Sequence, residues 1–286
     1  RFIKGRLERF DHQHLLKFCA QIGKLDMLRF IKNDVGLTAD DFRVNHAIRT
    51  AARYGHLDVL RFLYNEVNLT PDDFKADDNY AIRFAAENGH VDVLRFLKDE
   101  VELNVHDFRS GNNYAIKLAA TYGYLDVLRF LKDDVGLTPD DFRARDNSAI
   151  GNAAENGHVN VLKFLKDEVE LNVHDFRANG NYAIRWAARN GHLDILKFLK
   201  DDVHLTADDF RADDNYAIRN AAGNGNLNVL RFLKDDVNLT SDDFKADDNY
   251  AIRTAAAKVY LSVLGFLKYE VGLTADDFRD ENNEAI

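Results

Sequence analysis

Proline, cysteine, methionine and tryptophan are scarce in this chain of 286 residues, which contains two prolines and one residue of each other type. The single cysteine, Cys19, excludes a disulfide framework and a cysteine-based zinc site, and it favours a reducing compartment. Because no apolar run reaches about 18 residues, we expect no membrane span and no membrane partner. The two prolines and the lack of any stretch rich in serine and glycine leave no candidate linker.

Acidic residues outnumber basic ones in this chain, and the formal net charge is −10. A chain this acidic lacks the positive surface that follows nucleic-acid phosphates, so we expect no nucleic-acid partner. Its charge instead favours a protein partner with a basic or apolar surface. No signal peptide is visible, so the expected location is the cytoplasm.

Motifs of catalysis are missing too. The chain has no Gly-rich phosphate loop and no HExxH motif, and none of its ten histidines stands at a repeated spacing from a serine or cysteine. Four histidines, His56, His90, His158 and His192, directly follow a glycine, where a ring hydrogen-bonded to the backbone is expected. We therefore expect that this chain is not an enzyme and that it holds no cofactor and no metal.

The sequence does contain a strict repeat. An Ala-Ile pair occurs eight times in steps of 34 residues, from Ala47-Ile48 to Ala285-Ile286. Such a period indicates a stacked array of small identical folds, because each unit is too thin to bury its apolar faces alone. We expect a single array over 1–286, with repeats at about 13–44, 45–78, 79–112, 113–146, 147–180, 181–214, 215–248 and 249–282 and partial repeats at 1–12 and 283–286.

The repeat at 181–214 predicts two helices. Small apolar residues at helical spacing in 183–188 predict a first helix, which ends at Gly191 because glycine can adopt the left-handed conformation of a helix terminus. A bulkier apolar stripe in 193–203 predicts a second helix, which supplies most of the buried volume.

The loop that follows, LTADDF in this repeat, predicts one more helical turn. Thr206 and Asp209 have the spacing of a capping box, and two other repeats place Pro71 and Pro139 directly after the threonine, at the first helical position. We expect Phe210 to lie beneath this turn as a plug between neighbouring repeats.

The pattern AIRxAAxxGHLDxLxFL resembles the ankyrin repeat. Ala183-Ile184-Arg185 stands where that family has Pro-Leu-His, Ala187-Ala188 at its paired alanines and Gly191-His192 at its Gly-His turn. The resemblance implies an all-α, ankyrin-like solenoid of about eight stacked helix-turn-helix repeats that recognises proteins. Because LTxDDF replaces the family's Gly-Ala-Asp-Val-Asn finger, we expect short helical or turn-like loops in place of full β-hairpins.

Residues that vary between repeats are the candidates for recognition, because packing explains the constant framework. The variable positions are the residue after the Ala-Ile-Arg triplet and the two residues before the glycine. In proteins that resemble ankyrin these positions line a concave groove, where aromatic and apolar side chains anchor a partner. The alternative that stays open is that they fill gaps between first helices. The partner-binding candidates are Tyr54, Phe84, Leu118, Tyr122, Asn152, Trp186, Arg189 and Asn220.

A basic residue follows the loop phenylalanine in most repeats, and aspartates flank it. Unlike charges stacked from repeat to repeat neutralise one another, which predicts a solvated, mutually paired flank. The alternative is calcium binding by acidic loops such as Asp208-Asp209 with Asp213-Asp214, although the spacing of an EF-hand loop is missing.

The repeat that begins at Asn249 is atypical, because Val259 stands where the others have glycine. Valine disfavours the left-handed conformation, so we expect a remodelled turn. Residues 1–4 repeat part of a second helix and 283–286 begin another first helix, so neither end has the polar cap of a solenoid. These features predict a segment of a longer array, or ends that another chain covers.

The expected function is therefore a scaffold that binds a protein partner along its groove. The rival interpretation is a structural spacer or self-assembling rod that associates end to end through its uncapped repeats. Long arrays of this kind resemble those of giant viruses and intracellular bacteria, which implies the host-cell cytoplasm as the site of action for such an effector.

Overall fold

The computed structural model describes residues 12–44 and 46–279. The chain divides into two compact units, Arg1–Asp141 and Phe142–Ile286, which we call the N-terminal and C-terminal units. Over the described residues every regular element is helical and no strand occurs. The all-α fold and the helical loops are therefore confirmed, whereas the partial repeat predicted at 1–12, apart from His12, and the one predicted at 283–286 lie outside the described residues.

Each repeat contributes a first helix and a second helix, and every repeat except the last described one also contributes a short loop helix. The first helices are His12–Gln21, Ala47–Tyr54, Ala76–Glu87, Ser110–Tyr122, Ala144–Glu155, Ala178–Asn190, Ala212–Gly223 and Ala246–Ala257. The second helices are Leu25–Phe30, Leu57–Asn65, Val91–Asp99, Leu125–Arg129, Val159–Asp167, Leu193–Asp201, Leu227–Asp235 and Leu261–Gly265. Three of them continue as π-helical turns at Ile31–Val35, Phe130–Asp134 and Phe266–Glu270. The loop helices are Ala39–Val44, Pro71–Phe74, Val105–Phe108, Pro139–Phe142, Val173–Phe176, Ala207–Phe210 and Ser241–Phe244.

Within each unit, every first helix packs against the first helix of the next repeat, and second helices contact their neighbours in the same way. The paired alanines, such as Ala187 and Ala188, are fully buried, so first helices can approach closely. Leu196, Phe198 and Leu199 of the second helix are buried as well and fill the larger volume. This serial stacking confirms the predicted solenoid.

The loop helices have the predicted capping box. In the loop helix Ala207–Phe210, the backbone N and the Oγ1 of Thr206 donate hydrogen bonds of 2.8 and 3.1 Å to Asp209 Oδ2. Phe210 is buried and meets Phe232 of the next repeat edge to face, with 6.1 Å between ring centroids. The phenylalanine plug between neighbouring repeats is thus confirmed.

From Ala76–Glu87 onward, the range given for each first helix includes near its start a three-residue connector with non-helical backbone angles, which was not predicted from the sequence. Asp213, Asp214 and Asn215 all have left-handed backbone angles, with φ from 52° to 57°. Asparagine, aspartate and glycine tolerate this conformation best, and all connector residues except Arg145 are of these types. The same conformation recurs at 77–79, 111–113, 145–147, 179–181 and 247–249.

The turn at Val259 is not remodelled, so that prediction is wrong. Val259 has φ of +59°, and Tyr260 N donates to Ala255 O at 2.8 Å. The glycine-containing turn of the preceding repeat has the same bond, from Asn226 N to Ala221 O at 2.9 Å. The helices on both sides therefore hold the turn, and the valine adopts a conformation that it disfavours.

Replacing Val259 with glycine is expected to stabilise the chain by about 1 kcal/mol, because the left-handed penalty of the valine disappears. Little burial is lost, since the Val259 side chain is 69% exposed. Urea unfolding of both proteins measures the change. The control is Gly225→Val at the equivalent turn, which should lower stability, and equal midpoints for all three proteins would contradict the prediction.

Candidate functional site

The eight candidate residues lie on first helices, four in each unit. Tyr54 and Tyr122 are 46% and 49% exposed, although neighbouring apolar residues of the same helices are buried. Leu118 is only 9% exposed, which favours a gap-filling role for this residue. The half-buried candidates are Phe84, Asn152, Trp186, Arg189 and Asn220.

Two exposed apolar residues of the N-terminal unit were missed by the sequence analysis. Phe18 and Ile22 lie on the first helix His12–Gln21 and directly after it, and both are exposed. Aligning 15–23 with 47–55 would have placed them at the variable positions, but the first repeat is diverged and lacks the Ala-Ile pair. We define the apolar surface of the N-terminal unit by the five residues Phe18, Ile22, Tyr54, Phe84 and Tyr122.

Contacts between repeats hold this apolar surface in place. The Phe84 ring stacks on Tyr80, with centroids 5.1 Å apart and planes 22° apart, and the Arg53 guanidinium lies 5.1 Å from the same Phe84 ring. Gln21 Nε2 donates a 3.2 Å hydrogen bond to the hydroxyl of Tyr54 in the next repeat. Two of its aromatic side chains are therefore held in place by contacts within the folded chain.

In the C-terminal unit, Trp186 lies between Tyr182 and Arg189. The Tyr182 ring centroid is 5.4 Å from that of Trp186, and the Arg189 guanidinium is 4.4 Å from the indole. Tyr182 also donates a 2.9 Å hydrogen bond to Glu155 Oε2. Burial and this bond to a carboxylate raise the pKa of Tyr182 to about 12. The phenol therefore remains a neutral hydrogen-bond donor.

Asparagines make the rest of the first-helix surface of the C-terminal unit polar. Asn156 Nδ2 donates to the backbone oxygen of Asn152 at 2.9 Å, and Asn224 Nδ2 donates to that of Asn220 at 2.8 Å. These bonds fix the orientation of both amides. The two units thus present chemically different surfaces, one largely apolar and one rich in amides around a single tryptophan.

The histidines of the Gly-His turns join successive repeats. His56 Nε2 lies 2.8 Å from Gln21 O, His90 Nε2 lies 3.0 Å from Arg53 O, and His192 Nε2 lies 3.0 Å from Glu155 O. The predicted bond from ring to backbone is confirmed for these three residues. This contact gives the three histidines a structural role.

The basic residues after the loop phenylalanines pair with the aspartate that directly precedes the phenylalanine of the next loop. Arg177 Nε and Nη2 donate to Asp209 Oδ1 and Oδ2 at 2.7 and 2.9 Å. The same pairing occurs in Arg43–Asp73, Lys75–Asp107, Arg109–Asp141, Arg143–Asp175, Arg211–Asp243 and Lys245–Asp277. The predicted pairing is confirmed, but a solvated flank is wrong for this aspartate, because the Asp209 side chain is only 10% exposed whereas that of Asp208 is 92% exposed.

These contacts decide the charge state of the buried aspartate. Burial by itself raises the pKa of Asp209, but hydrogen bonds from Arg177 and Thr206 outweigh it and hold this pKa below its ordinary value. The same balance lowers the pKa of Asp141 and Asp243. These carboxylates remain charged, and each joins one repeat to the next.

Asp209 is bound by Arg177 and Thr206, which argues against the calcium alternative for this loop. Across residues 12–44 and 46–279, no three His, Cys, Asp or Glu side chains come together as a metal site. In the same part of the chain, no helix combines the length and the apolar character that crossing a bilayer requires.

A sequence profile of ankyrin repeats matches the chain in three overlapping segments, residues 16–107, 48–146 and 116–209. Together these segments span more than half of the 286 residues. No curated protein matches the chain.

Proposed function

Because the chain belongs to the ankyrin repeat family, we propose that it binds a protein partner along the exposed face of its first helices. Ankyrin repeats are generally protein–protein interaction modules. The observation that carries the proposal for this chain is the exposure of Tyr54 and Tyr122 on helices whose alanine, isoleucine and leucine residues are buried. Packing explains the buried residues, but it leaves two large aromatic side chains in solvent, where they can anchor a partner.

The chemistry of the surface supports an apolar partner segment. The five residues of the apolar surface carry no charge, so the net charge of −10 describes other parts of the chain. The net charge of the whole chain also predicts a partner with a basic surface. Such a surface would have to bind the acidic loops and not the apolar surface. The unbroken 34-residue period across residues 141 and 142 supports the further proposal that both units act as one non-enzymatic array.

Replacing Tyr54 or Tyr122 with alanine is expected to weaken partner binding by at least about tenfold, with little change in melting temperature. The matched control is Tyr269→Ala, because Tyr269 is also exposed but lies in the π-helical turn that continues a second helix. A partner captured by the wild-type chain should be retained by Tyr269→Ala and lost by the other two variants. Equal capture by all three variants would overturn the proposal.

Trp186 and Phe84 test the gap-filling alternative for half-buried candidates. If they bind the partner, Trp186→Ala and Phe84→Ala reduce affinity with little loss of stability. A large fall in melting temperature with unchanged binding would show that both side chains belong to the core.

One observation favours the second candidate function, end-to-end assembly. Val259, Leu261 and Tyr269 are all exposed in the last described repeat. If these residues mediate assembly, the scattering mass of the chain should rise with concentration, and Leu261→Asp should keep it monomeric. A constant monomeric mass for the wild-type chain would exclude the rod.

A further inference from the structure

One repeat of the C-terminal unit lacks a basic residue that recurs elsewhere. In the repeat 147–180, Gly151 directly follows the Ala-Ile pair. The connector before this helix has the same left-handed backbone conformation as the connectors of the following repeats, so the surroundings of the position can be compared directly. The residues at this position in six other repeats are Arg49, Arg83, Lys117, Arg185, Arg219 and Arg253.

In the next repeat the arginine at this position makes three contacts. Arg185 Nη2 donates to the backbone oxygen of Asn179 at 2.7 Å, and its Nη1 donates to the carboxylate of Asp213 at 2.7 Å. Its Cζ lies 5.2 Å from the ring centroid of Tyr216. Arg219 makes the same three contacts one repeat further along the chain. A backbone oxygen, an acid and a tyrosine ring thus hold each guanidinium.

The structure has a cavity where this side chain is missing. The cavity has a volume of about 90 Å³ and lies beside Gly151. The groups that hold the arginine in the next repeat have counterparts in its lining. The residue that carries the backbone oxygen is Arg145, the side chain from the next repeat is Asn179, and the ring is that of Tyr182. The cavity therefore retains the surroundings of a guanidinium that this repeat does not supply.

Asp146 adds a carboxylate to this cavity. It is an exposed residue of the lining. In the repeat 79–112 the equivalent carboxylate is that of Asp78, whose Oδ2 lies 3.6 Å from Nη1 of Arg83. A cation that enters the cavity beside Gly151 gains the same ion pair.

Two other charged residues line the cavity. The buried carboxylate of Asp175 is already bound by Arg143, whose Nε donates to Oδ1 at 2.9 Å. The Arg145 side chain is exposed, so water and salt screen its repulsion of a second cation. A guanidinium suits the remaining groups better than an ammonium does, because it is flat, lies against a ring and donates to two oxygens at once.

We propose that this cavity binds the guanidinium of an arginine side chain of the protein partner. The guanidinium lies against the Tyr182 ring, donates to the backbone oxygen of Arg145 and pairs with Asp146. This inference rests on the proposed function and extends it by naming one side chain of the partner. It agrees with the basic partner surface that the net charge of −10 predicts, because the partner brings the cation that six other repeats supply themselves.

The test uses the full chain and N-acetyl-L-argininamide, with binding followed by the NMR shifts of the Gly151 and Tyr182 backbone amides. We expect a dissociation constant on the order of 1 mM for this small ligand. N-acetyl-L-citrullinamide has nearly the same shape without the charge, and it should bind at least about fivefold more weakly. Absence of shifts at these two amides, or equal binding of the two compounds, would overturn the proposal.

A variant that supplies the missing arginine tests the location of the site. Gly151→Arg should weaken binding of N-acetyl-L-argininamide by at least about tenfold, because the chain's own guanidinium then competes for the cavity. The control Gly265→Arg adds the same charge on a second helix, where a Cβ meets nothing within 4 Å, and should leave binding unchanged. Equal binding by the wild type and Gly151→Arg would overturn the proposal. Partner capture that requires Tyr54 and Tyr122 but is unchanged by Gly151→Arg would leave the proposed function intact and remove only the arginine site.

A second variant keeps the test decisive if Gly151→Arg does not fold, since a Cβ at Gly151 would lie 2.9 Å from Tyr182 Cδ1. Asp146→Asn removes only the charge, because asparagine tolerates the left-handed backbone of this position. It should weaken binding of N-acetyl-L-argininamide by about threefold. Asp248→Asn, at the equivalent position of another repeat, should leave it unchanged. Equal effects of the two substitutions would contradict the proposed role of the Asp146 carboxylate and overturn the site.

Discussion

Gly55→Ala is expected to lower the free energy of unfolding by about 2–4 kcal/mol, against about 1 kcal/mol for Gly136→Ala. Both glycines belong to the N-terminal unit and have left-handed backbone angles, with φ of +73° and +81°. An alanine Cβ at Gly55 would lie 2.8 Å from the ring of His90, whereas one at Gly136 meets nothing within 4 Å. The two variants therefore share the backbone penalty, and only the first displaces the histidine.

Urea denaturation of the two variants gives both values. In Gly55→Ala, the displaced His90 ring also loses its contact with the backbone of the adjacent repeat, in which Nε2 lies 3.0 Å from Arg53 O. His90→Ala in the Gly55→Ala background should reduce the extra cost of the glycine substitution, because the clash is gone. Equal destabilisation by Gly55→Ala and Gly136→Ala would show that His90 moves aside with no loss of unfolding free energy.

Asp209→Asn is expected to destabilise the chain by about 2–3 kcal/mol, because it removes a buried charge that accepts four hydrogen bonds. Its neighbour provides the control. Asp208 is 92% exposed in its side chain, so Asp208→Asn should change stability by less than about 0.5 kcal/mol. Thermal and urea unfolding of both variants measure the difference. Similar losses for the two substitutions would mean that net charge, and not the buried contact, sets the stability.

The same carboxylate predicts the response to acid. The pKa of Asp209 is lower in the folded chain than its ordinary value. A group with a lowered folded pKa contributes stability that is complete above its unfolded pKa of about 3.9 and is lost as the pH falls through the folded value. Melting temperatures should therefore fall below about pH 4, and less steeply for Asp209→Asn. A wild-type melting temperature that holds from pH 5 to pH 2.5 would contradict this.

Local patterns predicted those parts of the fold whose causes lie within a few residues. Thr206 and Asp209 predict their loop helix because a capping box needs only that spacing and a free helix terminus. Gly191 predicts a helix end for a similarly local reason. Val259 shows the limit of such reasoning, because its unfavourable backbone conformation is imposed by the helices on both sides.

The candidate site was less predictable, because exposure depends on what the neighbouring repeat contributes. Leu118 and Tyr122 both occupy variable positions of one helix, yet the first is buried and the second is half-exposed. Phe18 and Ile22 were missed because the first repeat is diverged.

The sequence by itself determined the period, the helix pairs, the capped loop helices and the family. Each of these features depends on residues that are close together in the chain and that recur in many repeats. Tertiary structure alone decided which loop aspartate is buried and which variable side chains remain in solvent. The physical reason is that burial is a property of two surfaces. A repeat carries only one of them, and its neighbour supplies the other.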